Sequence, residues 1–495
     1  MIIVGTYPDQ VSTGILSRDT PSLVSLKKII NDILPLEIAL HILPFYPSCG
    51  DGGFAITDWE MVDNEFGSWE EINDITNERF VIVDGVFNHI GIDHKMVGLL
   101  INNPNEYSQL FYVNPCFDMD SPRGMSANPK IQTSCGYINV RKTHSSAAID
   151  INLENPEIQK YIQSFLNMIS QYKVKGVRLD AVTYYKKGSK IRHNEGSYEL
   201  ANLIANMVKI KGMFVIAQID CDEEGKKYFC APEYADVAIY DLGYSAALSL
   251  AIAEKRPHDL VTFLQNNQNT KRPLIRAPRS HDGILLRPRT LPPSLVTRLI
   301  TVAQNLGISV RKVDDMPYEL NCSLPYLIKK AFPRNPNKML EMTLILTGIL
   351  NSIPYFYLPY LIGFIPEESC EQIIIHRRFG KDDPRTLNRI PFDWENVKKS
   401  SFVNERLPLI LNILVNIHEL YGDELITGDS VFSVVENNLL KVASANGAVN
   451  GIFSFSESSI PLQIAHRQDD IVYSNRLNAN TIEAGDYYIW LHTKT

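Results

Sequence analysis

Eight short apolar runs, with helical patterns between most of them, constrain this chain more than any other feature. They fall at Ile2–Thr6, Ile38–Leu43, Val81–Val86, Gly176–Leu179, Val215–Ala217, Val237–Tyr240, Leu274–Ala277 and Tyr355–Leu358. Apolar residues recur at helical spacing in Ser22–Ile33, Trp69–Thr76, Pro156–Tyr172, Ser197–Ile210, Ala246–Ala253 and His258–Gln265. Strand and helix alternating in this way predict a (β/α)8 TIM barrel, whose active site sits where strands end and βα loops begin.

Two stretches interrupt the alternation. Residues 91–149, rich in Asn, Pro, Ser and Gly, are too long for a simple connection and predict a small irregular domain inserted over the barrel mouth after strand 3. A second insertion, 284–337 after strand 7, holds a helix at Ser294–Leu306 and a loop with Arg311, Lys312, Asp314, Asp315, Tyr318 and Asn321. From 427 to 495 short alternating runs separated by turn residues predict an antiparallel β domain, leaving 1–90 and 150–426 for the barrel.

A net charge of −8 and a pI near 5.8 argue against a nucleic-acid partner or an anionic membrane surface, which call for a basic stripe. Leu344–Pro366 carries no charge until its end, but Asn351, Pro354 and Pro359 break it into a buried helix and a buried strand rather than a membrane span. Seven cysteines at wide spacing show neither a zinc motif nor a disulfide framework. Met1–Thr6 lacks the features of a signal peptide, and the expected location is the cytoplasm. No metal or organic cofactor is expected, and the oligomeric state is left open.

Polar residues gather after successive strands. Asp51 and Phe54 follow the second; Asp84, Asn88 and His89 come with the third; Arg178 and Asp180 close the fourth. Gln218 and Asp220 follow the fifth, and Ser280-His281-Asp282-Gly283 the seventh. Five such clusters at strand ends exceed what capping and turn chemistry require. Arg178 and Asp180, two apart on a strand, share a face, and an arginine there favours the ionised carboxylate that a nucleophile needs.

The ordered set Asp84-x-x-x-Asn88-His89, Val177-Arg178-Leu179-Asp180, Gln218 and Ser280-His281-Asp282 resembles the signature regions of the α-amylase superfamily. Further stretches are similar to the sucrose phosphorylase group and its glucosylglycerate phosphorylase relatives: Leu43–Pro47 to Gly53-Phe54, Phe66–Trp69, Pro317–Asn321 and Arg385–Arg389. The resemblance implies retaining α-glucosyl transfer, with an α-glucoside as substrate and inorganic phosphate as a co-substrate. In such a mechanism one carboxyl forms a glycosyl-enzyme and a second, ~5–5.5 Å away, works as acid and then base. By position Asp180 matches the nucleophile and Asp282 the third acid. Arg178 would orient Asp180. His89 and Asp51, with Arg385 or Arg389, would hold the terminal glucose, and Phe54 would wall it; Asn88 and His281 fall in the same signature regions.

One position departs: where the family has its acid/base Glu, this chain has Gln218. An amide can donate a hydrogen bond but cannot transfer a proton, and loss of general acid–base help costs on the order of 10²–10⁴ in rate. Further departures at Ala148 and at His193–Gly196 point to divergence rather than to a single engineered change. The chain then either transfers glucosyl between partners that need no protein acid or binds a glucoside without cleaving it. Asp220, Asp222, Glu223 and Glu224 are the nearby acids that could substitute. For phosphate the loop arginines Arg141, Arg287, Arg289 and Arg311 are candidates, each also readable as a solvated side chain.

Overall fold

The computed structural model describes residues 1–12, 21–113, 130–188, 195–219, 236–267, 273–286, 291–312, 318–368, 384–435, 438–462, 470–476 and 481–492; at 12, 285, 311, 312, 318, 384–386 and 435 it describes the backbone alone. Eight parallel strands close into a barrel in chain order: β1 Ile2–Thr6, β2 Ile38–Ile42, β3 Val81–Gly85, β4 Gly176–Leu179, β5 Phe214–Ala217, β6 Val237–Tyr240, β7 Leu274–Arg276 and β8 Ile353–Tyr357. β8 pairs back onto β1, with Ile3 opposite Tyr355, so the sheet has no free edge.

Alternation along each strand divides the core in two. Ile3, Ala39, Ile82, Ile216, Ala238, Ile275 and Ile353 fill the barrel interior, while Val4, Leu40, Val83, Val177, Val215 and Ile239 pack outward in the core that the helices share. The helix Trp69–Thr76 starts on a capping box, with Ser68 and Glu71 bonding each other's backbone N–H groups. The helix Pro156–Gln171 starts on Asn155, whose side chain accepts from the Glu157 N–H. Among the described residues no helix is long and apolar enough to cross a membrane; the uncharged segment takes in the C-terminal part of the helix Pro336–Ile349 and then β8.

The structure differs from the sequence reading at several places. β8 begins at Ile353, not Tyr355: Pro354 sits at the strand's second position, where a missing N–H is tolerated. The second insertion is not a bare loop after its helix, because Tyr318–Leu320 pairs antiparallel with both Ile284–Leu286 and Val310–Lys312. The helix Leu407–Thr427, absent from the sequence reading, buries Leu407, Ile410, Leu411, Leu414, Ile417, Tyr421 and Leu425 along one stripe. In the tail, five strands form one antiparallel sheet: β9 Ser430–Val435, β10 Leu439–Ser444, β11 Val449–Ser454, β12 Ile471–Ser474 and β13 Tyr487–Leu491, with β13 between β11 and β12. Of the expected strand Pro461–Ala465, only Ile460–Pro461 falls in a described strand, and 463–469 lie outside the described residues.

Gly5 sets the interior of the barrel. A Cβ built there would stand 1.7 Å from the Tyr355 hydroxyl, because that ring crosses above residue 5 to reach His41 Nδ1 at 3.1 Å. We expect Gly5→Ala to cost about 1–3 kcal/mol through this overpacking, measured as a lower urea midpoint with unchanged slope; an unaltered midpoint would show that the ring can yield.

Candidate active site

Period-two alternation carries five inward side chains from four successive barrel strands to one place: His41 from β2, Asp84 from β3, Arg178 from β4 with Asp180 just beyond it, and Gln218 just past β5. Register places Asp84 directly across from Arg178. Arg178 is 3% exposed and its Nη1 donates both to Asp84 Oδ1 (2.6 Å) and to Asp180 Oδ1 (2.7 Å), while Nη2 donates to Gln218 Oε1 (2.5 Å). One guanidinium therefore fixes the side chains of Asp180 and Gln218 together. Asp84 Oδ2 accepts from His41 Nε2 at 3.1 Å, which leaves Nδ1 to accept from Tyr355. The Tyr46 hydroxyl donates to the Asp84 carbonyl at 3.1 Å.

Burial would raise both carboxyls, and they part because their partners differ. At Asp84, burial is outweighed by Arg178 and His41, which hold it below its usual range. At Asp180, burial is the largest influence; Arg178 opposes it, but the charges of Asp84 and Asp282 add to it, and the group is pushed up to about 6.

The chain reverses sharply after Asp180. Ala181 is left-handed (φ 46°), and its N–H donates to Gln218 Oε1 at 3.2 Å. Asn88 reaches the carbonyls of Asp180 and Ala181 at 3.4 and 3.5 Å, so it braces the turn after β4. His89 contacts Asn88 and lies with Nε2 3.1 Å from the Phe54 carbonyl; burial lowers it to about 4.

Phe54 stands between both arginines, with each guanidinium 5.7 Å from its ring centroid, and its ring stacks on His281 at 5.8 Å. Arg389, buried on the turn after β8, donates to Asp282 Oδ1 at 2.6 Å, to the His281 carbonyl at 3.3 Å and to the Gly52 carbonyl at 3.5 Å. It thereby joins the loops after β2, β7 and β8. His281 is pushed down to about 3, first by burial and then by Arg389 and Arg178, against the pull of Asp282. Asp51 also occupies the left-handed region (φ 53°), in the 3-10 turn Asp51–Gly53, and its charge acts on His89.

Of the expected site residues, Asp51, Phe54, Asn88, His89, Arg178, Asp180, Gln218, His281, Asp282 and Arg389 converge at the barrel mouth. Asn88 acts there through the carbonyls of Asp180 and Ala181. Arg385 lies on the short helix Pro384–Arg389, but its side chain is outside the described residues, as are Asp220, Asp222, Glu223, Glu224, Arg287, Arg289, His193 and Asn194, and the side chain of Arg311. Arg141 is no solvated loop residue: it is 4% exposed, stands 3.8 Å from Asp150 and donates to the Gly188 carbonyl at 3.0 Å. Asp150 also pairs with buried Lys187 at 3.2 Å and lies opposite His89 in the two-stranded ribbon His89–Gly91 with Ala148–Asp150. His144 stacks on His89 at 4.7 Å and meets Tyr184 edge-on.

His41, Tyr355, Lys187 and Tyr240, whose ring centroid lies 5.9 Å from the Arg178 guanidinium, were missed from the sequence. His41 alone left a signal, a polar residue at an inward position of an apolar run. Among the described residues no group of three or more His, Cys, Asp or Glu side chains could hold a metal ion.

The elevated Asp180 has a thermodynamic consequence. Its folded value near 6 lies above an unfolded value near 4, so the native state binds the proton more tightly, and stability falls as pH rises from 4 through 6. We expect the stability of Asp180→Asn relative to the native protein to rise between pH 4 and pH 8, because the variant has no proton to lose there. Urea unfolding across that range is the measurement; a stability difference that does not change with pH would contradict it.

Residues 36–218, which span β2 to Gln218, match the family model described as alpha amylase, catalytic domain. Glucosylglycerate phosphorylase of Spirochaeta thermophila is 25% identical over 418 residues, covering 79% of this chain and 68% of that protein. Sucrose phosphorylase of Agrobacterium vitis is 24% identical over 325 residues, covering 60% of this chain and 64% of that protein. The crystal structure of sucrose 6F-phosphate phosphorylase from Thermoanaerobacter thermosaccharolyticum shares the fold, with a TM-score of 0.75 at 16% identity over 92% of this chain and 93% of that chain. Residues 36–218 are thus similar to the alpha amylase catalytic domain, and the chain as a whole is similar to glucosylglycerate and sucrose phosphorylases.

Proposed function

We propose that this protein carries out phosphorylase-like retaining transfer of α-glucosyl through a glucosyl-enzyme on Asp180, with the acid/base step impaired at Gln218. The observation that supports this most is the hold on Asp180. Arg178 binds Oδ1, and the described hydrogen bonds to its side chain involve that oxygen alone, which leaves Oδ2 for attack at the anomeric carbon. Arg178 also stabilises the ionised form that attacks. Asp282, gripped by Arg389, and the neutral rings of His281 and His89 suit the hydroxyls of a glucose unit walled by Phe54. Inorganic phosphate is the co-substrate that the relatives' names suggest.

A specific observation favours a second reading. Gln218 occupies the acid/base position without a transferable proton, which suits a protein that binds a glucoside and leaves it intact.

The two readings separate on covalent chemistry. α-Glucosyl fluoride, whose leaving group needs little help, should add one anhydroglucose unit to the Asp180 peptide, read by mass spectrometry of the quenched protein. Asp180→Asn should remain unlabelled. The labelling rate should fall as pH drops through about 6, where Asp180 takes up its proton. Calorimetric binding of glucose without any labelling would decide for the second reading.

A further inference from the structure

We propose that this site exchanges glucosyl between anions only. It takes donors whose leaving group departs as a stable anion, such as a glucosyl phosphate, and acceptors that arrive as anions, and it leaves glucosides of alcohols uncut. The inference rests on the transfer reading above and on how Gln218 is held.

Its side-chain oxygen accepts from Arg178 Nη2 at 2.5 Å and from the Ala181 N–H at 3.2 Å. Both partners can only donate, so the atom facing them is the carbonyl oxygen and the amide NH2 is turned away from them. Gln218 is only partly buried, and what it has left to offer a ligand is N–H. That group can hydrogen-bond an anion but cannot release a proton.

The described neighbours do not replace the missing acid. Both oxygens of Asp84 are engaged, by Arg178 and His41. Asp282 is bonded to Arg389. His89 and His281 are lowered to about 4 and about 3 by burial, so they are neutral near pH 7. Burial raises the phenols of Tyr185 and Tyr240, making each a poorer acid than an exposed tyrosine.

The chemistry balances without a proton. In the first step Asp180 Oδ2 bonds to C1 of the glucose 1-phosphate monoanion as the bond from C1 to the leaving oxygen breaks, and the electron pair departs on hydrogen phosphate, whose proton was already on the donor. In the second, an oxygen of incoming hydrogen phosphate bonds to C1, the bond from C1 to Asp180 breaks, and its electron pair returns to the carboxylate. An alcohol donor would have to leave as an alkoxide, and water or an alcohol acceptor would have to shed a proton. Both need a group that Gln218 cannot be.

The test uses the whole protein with α-glucose 1-phosphate and isotopically labelled inorganic phosphate, and separately with sucrose and phosphate. Label should enter glucose 1-phosphate, while fructose release from sucrose should be slower than that exchange by on the order of 10²–10⁴. Gln218→Glu should narrow that gap by raising fructose release. Fructose release by the native protein at a rate comparable to phosphate exchange overturns this proposal and leaves the transfer reading intact. So does labelling of Asp180 by α-glucosyl fluoride without any phosphate exchange. Absence of both labelling and exchange overturns this proposal and the transfer reading together.

Discussion

A single buried cation organises the mouth of this barrel. Arg178 has acceptors on three sides: Asp84 from the neighbouring strand, Asp180 from its own, and Gln218 from the next. Removing a charge from water is expensive, and removing one member of a buried pair leaves the other unpaired at a cost of about 3–5 kcal/mol. The arrangement is therefore mutually dependent. Asp84 compensates Arg178, His41 completes Asp84, and Tyr355 completes His41, a file running from the mouth to the interior layer over Gly5. Asp180 shares the cation with Asp84; burial raises its pKa first, the charges of Asp84 and Asp282 add to that, and Arg178 offsets only part of it.

The fold was legible because parallel barrel strands are buried on both faces and so leave continuous apolar runs. β1, β4 and β6 match the expected runs residue for residue, and β5 starts one residue earlier. What was less legible depended on distant partners. The strands of the second insertion are three residues long and exist by pairing with one another, Ile284–Leu286 reaching Tyr318–Leu320 across more than thirty positions. Leu407–Thr427 is apolar on more than its buried stripe, with Leu409 and Leu420 exposed, which blurs its period. Within the site, residues at strand ends announced themselves because polar groups there need a reason. Those doing their work inside the barrel were hidden: Tyr355 reads as one more aromatic in an apolar run, and its bond to His41 crosses more than three hundred positions. Arg141 misled in the opposite sense, since its loop is polar in composition while its guanidinium packs against Asp150.

The mouth is assembled from segments far apart in sequence. Arg389 bonds the loops after β2 and β7 from its own place after β8, and Asp150 ties the ribbon of the first insertion to Lys187 beyond β4. Charge-assisted contacts, partly shielded from water, make these crossings stronger than surface ion pairs. A sugar entering here would meet side chains already held by their neighbours, so little ordering remains to be done on binding.

The cradle around residue 218 carries a consequence for history. Arg178 and the Ala181 amide present two donors, and a carboxylate of the same length would accept both without a change of rotamer. Codons for glutamine and glutamate differ by one base. A lineage carrying this scaffold could cross between acid and amide at that position in a single mutational step, in either direction, with the surrounding packing undisturbed. Selection on such a protein would act on which reactions a cell can use, with stability of the fold giving little resistance to the change.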